Sequence, residues 1–531
     1  MKKLNVILHI NGTTEALTCS KGLLISEILQ KNNISLSTPC GGYGTCGKCK
    51  IKFNSPAPAP SPADIKQFSE KELKNGFRLA CQHILHADIE LSLDNALLQG
   101  RLHILTDGIQ LDVTMDPGII TKETSEPVYG AAIDLGTSTL AVSLIDLKSG
   151  ERLGKEAAPN PQSVYGADII TRATAAVGSA NIMKDLQQLI MKKINELLRK
   201  LTNNTKYIHH IVLAGNTVMS HIFMGESLNE LIMAPFEASI TDMQILEAKA
   251  FGIDVHPEGK ITILPVIGSF IGGDIASDLL VSEELFADDK NILLMDLGTN
   301  CELVLKTPKG MVAASAPAGP VMEGAGIEHG MLAEPGAISD LIFDKQKHFQ
   351  PVTVQNKATK GICGSGLIHS IHLLWSKGIL LPEGRFSSQS SFADPEEGFA
   401  FNEQIKLFPK DIRSFQMAKS AITSSWKYLF SLLGIQAEDL DHVVMAGAFG
   451  HYIRPEAGMD LEIFPSLDKE KFIYIGNSSL TGCEMVLKNG KYAERIQKIA
   501  AKTEHKEIAI RKDFQEIYAL NMGLGKNVYS Q

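Results

Sequence analysis

The stretch IDLGTSTLAVSL, residues 133–144, returns as MDLGTNCELVL at residues 295–305. Two further segments repeat in the same order: IVLAGN at 211–216 matches VVMAGA at 443–448, and IGSFIGGDIASDLL from 267 parallels IGNSSLTGCEMVL from 475. The last pair each follow a strand-like run and open a helix with small residues. Three matched elements in one order imply two copies of a single α/β unit. Two facing copies make a cleft, so the chemistry is expected between them.

Each D-x-G-T element is suited to phosphate. A strand ends in Asp, and Gly136 or Gly298 lets the turn approach an oxyanion with no side chain in the way. The carboxylate itself repels phosphate, so Asp134 and Asp296 make sense with Mg²⁺, which prefers carboxylate, water and phosphate oxygens. On this reading the two aspartates hold the metal largely through water. Thr137, Ser138 and Thr139, with Thr299 and Asn300, flank the phosphates, and Gly447 and Gly450 of AGAFG let adenosine lie against backbone. Glu302 and Glu323 follow Gly-rich segments expected to face the terminal phosphate and are candidates for orienting an attacking water. Surface or outer-sphere carboxylates are the other reading of both. Asp274 in GGDIASD could reach the metal, but the expectation is that it caps its helix. A single DLGT means little, and a duplicated fold without a nucleotide is the alternative to all of these roles. His209, His210, His221 and His451 form no recognisable metal pattern and are read as solvated or core residues.

The amino-terminal region carries a second signal. Cys40, Cys46, Cys49 and Cys81 stand in CGGYGTCGKC and RLAC, a C-x5-C-x2-C-x31-C spacing. Three thiolates from one loop can wrap a [2Fe–2S] cluster if the backbone bends sharply and offers N–H groups to the sulfurs, which Gly41, Gly42, Gly44 and Gly47 permit. Five residues separate the first two cysteines where plant-type proteins have four, which resembles the adrenodoxin-like branch. A zinc site would present two short Cys/His pairs, and only Cys46 and Cys49 form one. Cys19, Cys301, Cys363 and Cys483 are scattered and read as small buried hydrophobes.

Around this loop, residues 4–10 alternate as a strand, Asn11-Gly12 is a hairpin turn, and 14–18 return as a second strand. Ser20 is expected to cap a helix whose Leu24, Ile25, Ile28 and Leu29 share a face. KIKF follows the cysteine loop as a strand. Hairpin, helix and cluster loop in this order match the β-grasp ferredoxin fold. PAPAPSP at 56–62 falls between Cys49 and Cys81 and is read as a stiff surface loop inside the domain. The expected division is a cluster domain over 1–94, a connecting segment over 95–129, and two α/β halves over 130–288 and 289–531.

A chain of 531 residues with 44% hydrophobic content can bury several cores. Its net charge of −9, without a basic run, argues against nucleic acid and against a polybasic membrane patch. No long apolar run suggests a signal peptide or membrane span, so a reducing cytoplasm is the expected location.

With these residues in hand, the duplicated unit resembles the acetate and sugar kinase, Hsp70 and actin superfamily, whose phosphate and adenosine motifs look like DLGTST, DLGTNCE and AGAFG. Fusion to a [2Fe–2S] domain narrows the resemblance to the reductive activators of corrinoid-dependent proteins, over nearly the whole chain. NPQSVYGADII at 160–170, AGNTVMSH at 214–221, AGPVMEGAGIEHGM at 318–331 and GICGSGLI at 361–368 look like segments of that family. The resemblance implies a β-grasp ferredoxin domain followed by a duplicated RNase H-like ATPase. It implies ATP-dependent reduction of Co(II) to Co(I) in a methyltransferase or O-demethylase system. The implied cofactors are a [2Fe–2S] cluster, ATP and Mg²⁺. The implied partners are a corrinoid protein and an external low-potential electron donor, and a homodimer is left open. Three other functions were weighed. A sugar kinase or a reactivating chaperone has no use for the cysteine quartet. An ATP-coupled donor to another low-potential metalloenzyme does, and is the principal alternative.

Overall fold

The computed structural model describes residues 3–10, 13–32, 34, 44, 47, 49–93, 108–118, 125–166, 168–298, 300–447 and 452–525. The Asn11-Gly12 turn, Gly41, Gly42, Cys40, Cys46, Thr299, Gly450 and His451 lie outside them.

The first sheet alternates as the sequence does. In β1 (Lys3–Ile10) Leu4, Val6 and Leu8 are buried, and β2 (Thr13–Ser20) pairs with it antiparallel. Helix α1 (Ile25–Lys31) buries Ile25, Ile28 and Leu29 on one face. Ser20 does not cap it. That residue still belongs to β2, and the helix starts five residues later at Ile25, with the preceding Leu24 N–H donating to Glu27 at 3.2 Å. After β3 (Lys50–Phe53) the proline-rich loop runs into α2 (Pro62–Gln67). Ser61 and Asp64 close a capping box there, with Pro62 in the first turn. Then come α3 (Glu70–Lys74), β4 (Phe77–Leu79) and β5 (Ile89–Leu93). The strand order β2-β1-β5-β3-β4, with β5 parallel to β1, is that of a β-grasp domain.

The next unit opens as an antiparallel meander of β6 (Tyr129–Leu135), β7 (Thr139–Asp146) and β8 (Arg152–Pro159). Helices α4 (Ile169–Gly178) and α5 (Ala180–Leu201) lead to β9 (Ile208–Gly215), which pairs parallel with β6. Helix α5 buries Leu186, Ile190, Ile194 and Leu197, spaced three and four apart, against this sheet. Helices α6 (Thr217–Met224) and α7 (Asn229–Ile232), then β10 (Gln244–Glu247) and β11 (Lys260–Ile263), precede α8 (Gly273–Leu285).

The second copy repeats the plan with β12 (Ile292–Leu297), β13 (Cys301–Thr307) and β14 (Gly310–Ala316). An insertion follows, holding the small sheets β15–β17 (337–362) and β18–β20 (393–407), α9 (Gly364–Ser376) and α10 (Pro409–Leu433). The core resumes with β21 (His442–Ala446), α11 (Pro455–Asp460), β22 (Phe472–Gly476) and α12 (Ser478–Lys488). Helices α13 (Lys491–Lys502) and α14 (Lys512–Leu520), with β23 (Thr503–His505) between them, end the described chain.

The sheet orders are β10-β11-β9-β6-β7-β8 and β22-β21-β12-β13-β14-β23. Each contains the same five-strand core, and the registers agree: Asp134 faces Ala214 across the parallel pair, and Asp296 faces Ala446. Helices α8 and α12 cross between the sheets and bury Ile275, Leu279, Leu480 and Val486 in a core that both halves share. Residues 108–118 are more than a connection, because they are hydrogen-bonded along β22 and α12.

Among the described residues no helix is long and apolar enough to cross a membrane. Cys301, Cys363 and Cys483 are buried as expected, whereas Cys19, on an outer strand, is only half-buried. His210 and His221 are core residues, the first bonded to Thr262 Oγ1 at 2.8 Å and the second to the Thr217 carbonyl.

Candidate functional site: an acidic cleft between two halves and a cysteine pair

The two repeated strands deliver their aspartates to one place. Asp134 is the penultimate residue of β6 and Asp296 of β12, and the two half-buried carboxyls repel one another. Glu302 sits opposite Asp296 in the antiparallel register of β12 and β13, so its side chain emerges on the same face. Glu323 closes the short turn Pro320–Glu323, where its charge is felt by Asp296 and Cys301. Helix α8 adds Asp274 and Asp278, one turn apart and both acting on the same group.

Burial drives Asp134, Asp274, Asp278, Asp296 and Glu302 upward, and mutual repulsion adds to it for the last four. Asp274 is pushed up to about 7, mainly by burial and then by Asp134. Asp296, Asp278 and Glu302 are raised by the same two causes. Asp134 is raised by burial, while hydrogen bonds from Asn477 Nδ2 at 2.9 Å and Ser479 Oγ at 3.0 Å oppose the shift. Glu302 Oε1 is buried without a hydrogen-bond partner. An orphaned carboxylate oxygen among five other acids calls for positive charge, so the donor set fits Mg²⁺.

Gly272 occupies the N-cap position of α8, and Asp274 lies in the first turn, where its Oδ1 accepts from the Ile275 N–H at 2.9 Å while the charge of Asp134 also acts on it. Its register mate Asp278 went unread in the sequence, although a D-x-x-x-D spacing on one helix was there to find. Asn477 and Ser479 carried no sequence signal, being more than 340 residues from the aspartate they bind.

The turn after β6 is braced from behind. Asn160 Nδ2 donates to the Gly136 carbonyl at 2.8 Å, and the Asn160 N–H donates to the Ser138 carbonyl. Arg172, fully buried on α4, donates to the Thr137 and Gly166 carbonyls at 2.9 and 3.0 Å. With its carbonyls taken by these donors, the turn between Gly136 and Thr139 is held in one shape. Gly298 bonds across its own turn to Asn300. Gly447 has φ +76°, and a Cβ there would overlap Asp296 Oδ1, so only glycine lets the backbone at this position pass beside that carboxylate.

In the first domain, Cys49 and Cys81 come from segments 32 residues apart, yet their sulfurs stand 3.2 Å from each other. That is far beyond a disulfide bond of about 2.05 Å and suits two thiolates on one iron. Gly44 and Gly47, at φ +72° and +68°, give the loop the left-handed turns expected of it. Gln82 Nε2 donates to Cys81 Sγ at 3.5 Å.

Comparisons with known proteins agree with this construction. Residues 8–86 match the 2Fe-2S iron-sulfur cluster binding domain, 129–284 the RACo middle region, and 290–530 the C-terminal domain of RACo, the ASKHA domain. The chain is 30% identical to the corrinoid activation enzyme RamQ of Eubacterium limosum, over 81% of this chain and 75% of that one. It is 27% identical to the [Co(II) methylated amine-specific corrinoid protein] reductase of Methanosarcina barkeri, over 74% and 76%. A solved reductive activator for corrinoid, iron-sulfur protein superposes with a TM-score of 0.67 at 25% identity, covering 98% of both chains. A ferredoxin domain joined to a duplicated unit with both aspartates in one cleft, matched along its length by these relatives, belongs to the family of reductive activators of corrinoid proteins.

Proposed function

We propose that this protein reduces the Co(II) of a partner corrinoid protein to Co(I), with hydrolysis of ATP in the cleft driving the step, in a methyltransferase or O-demethylase system. One observation carries the reading: the chain that brings Cys49 and Cys81 together also brings Asp134 and Asp296 together. When bound by Cys40, Cys46, Cys49 and Cys81, the [2Fe–2S] cluster supplies a one-electron relay, reloaded by an external low-potential donor.

The need for nucleotide is energetic. Each 100 mV that one electron must climb costs about 2.3 kcal/mol, within the range that a ligand preferring one of two conformations can supply. Asp134 and Asp296 hold hydrated Mg²⁺ between the halves. Thr137, Ser138 and Thr139 on one side, with Thr299 and Asn300 on the other, receive the phosphates, while Gly447 and Gly450 leave room for adenosine. Glu302 and Glu323 orient the attacking water. The names of the two relatives support a corrinoid acceptor, and that of the Methanosarcina protein specifies Co(II).

The test is anaerobic mixing of the iron-loaded protein with Co(II) corrinoid proteins and a low-potential reductant, with and without Mg-ATP. Loss of the Co(II) absorbance only with ATP is the expected outcome. Equal rates without nucleotide would refute the coupling.

A further inference from the structure

Helix α12 touches both the cleft and the segment at 108–118. At its head, Asn477 caps the helix through Oδ1, which accepts from the Leu480 N–H at 2.8 Å, while Nδ2 donates to Asp134. Ser479, one turn position on, donates to the other oxygen of the same carboxylate. The Asn477 amide cannot turn without giving up both bonds. Any movement of Asp134 is therefore felt by the helix itself.

Along its flank and at its tail, the same helix carries residues 108–118, which lie in sequence between the ferredoxin domain and the first half. Gly108 bridges Gly476 antiparallel, and the Ile109 N–H donates to the Ile475 carbonyl at 3.0 Å, extending the sheet edge beside β22. Thr481 Oγ1 donates to the Ile109 carbonyl at 3.2 Å, and Asn489 Nδ2 to the Thr114 carbonyl at 2.9 Å. The Asp116 N–H caps the last turn by donating to the Lys488 carbonyl at 2.8 Å, and the Gly490 N–H returns to the Asp116 carbonyl. Ile109, Leu111 and Val113 pack on the core shared by both halves. Gly108 lies so close to the helix head that a Cβ there would overlap the Asn477 carbonyl and Thr481 Oγ1. The strap thus follows the whole length of α12.

We infer that α12 couples the cleft to the strap at 108–118: Asn477 and Ser479 position Asp134 for the cation, and binding there shifts the helix and the strap seated on it. Each Asp134 oxygen accepts one hydrogen bond and keeps a lone pair for a hydrated cation, so a carboxylate drawn toward the cation pulls on the bonds from Asn477 and Ser479. That pull gives the bound and free states different contacts, as coupling requires. The inference rests on the reading that the cleft binds Mg-nucleotide.

Hydrogen exchange on the full, iron-loaded chain tests it, with and without Mg²⁺ and a non-hydrolysable ATP analogue whose Kd is measured in parallel. The amides of Ile109 and Asp116 are expected to change exchange rate at least ~5-fold on binding, the lower end of typical coupling. The change should disappear in the N477A/S479A double variant and survive in S479T. Because coupling is reciprocal, the T481V/N489A variant, which loosens the strap outside the cleft, is expected to shift the Kd by a similar factor. Binding of the analogue without any change at Ile109 and Asp116 would overturn the inference and leave the proposed function standing. Failure to bind any nucleotide would overturn both. Should T481V/N489A not fold, exchange in the unaltered protein still decides.

Discussion

Glu302 and Asp274 show how position, not residue type, sets the behaviour of a carboxyl. Glu302 Oε1 has no hydrogen-bond partner and its neighbours are acids, so its carboxyl has no compensation until positive charge arrives. E302Q keeps the shape and removes the charge. It is expected to lower the kcat of ATP hydrolysis ~10²–10⁴-fold, the usual contribution of a positioned acid or base, with a smaller change in KM, checked by steady-state phosphate release. Asp274 gives a pH dependence of stability. Between its ordinary value of 3.8 and about 7, the folded protein keeps a proton that the unfolded chain has released. The native state then binds more protons, so stability falls as pH rises through this window and the loss is complete above it. At about 1.4 kcal/mol per unit the loss is of order 4 kcal/mol. Without metal, the calorimetric Tm is expected to be several degrees lower at pH 8 than at pH 5, and Mg²⁺ should restore part of the difference. A Tm that rises over this range would contradict the assignment.

At the scale of elements, the crossing of α8 and α12 decides how closely the halves approach. Ser277 Oγ donates to the Ser479 carbonyl at 2.8 Å, and Ser478 Oγ donates to Asp278 at 2.6 Å. Gly482 lies against Ser277, where a Cβ would overlap its hydroxyl. Small residues at this contact let the helices pass closely enough that α12 meets Asp134 and α8 meets Asp296. G482V should force the helices apart, destabilise the protein by ~1–3 kcal/mol as overpacking does, and weaken nucleotide binding as well. Unfolding measured with and without nucleotide separates the two effects. Nucleotide affinity unchanged in a folded G482V protein would mean that the crossing does not shape the cleft.

For the whole molecule, the organisation is modular at one end and interlocked at the other. The ferredoxin sheet has its own core, built around Leu8, Ile28, Leu29 and Leu91. The two nucleotide halves do not separate in this way: Arg152 and Ser143 of the first bind Glu484 of the second, and α8 and α12 share a core. C81S should therefore abolish iron binding and the visible spectrum while leaving ATP affinity and the Tm of the nucleotide unit nearly unchanged. Loss of nucleotide binding in C81S would show that the cluster domain is not an independent unit.

By itself the sequence determined the duplicated α/β unit, the ferredoxin order of elements and the two aspartates, because each is written in local terms: a strand ending in D-x-G-T, a cysteine spacing, an alternation of apolar residues. Local reading failed where partners are distant. Asp274 stands at a helix head and bonds its first turn, but the acid that raises it comes from another strand, while Ser20 precedes an apolar run whose helix begins later. Asp278, Asn477, Ser479 and the strap at 108–118 acquire their surroundings only when two helices cross and a segment folds back along one of them. A side chain's charge and hydrogen bonds depend on what stands within a few ångströms, and across a fold of this size those neighbours come from hundreds of residues away.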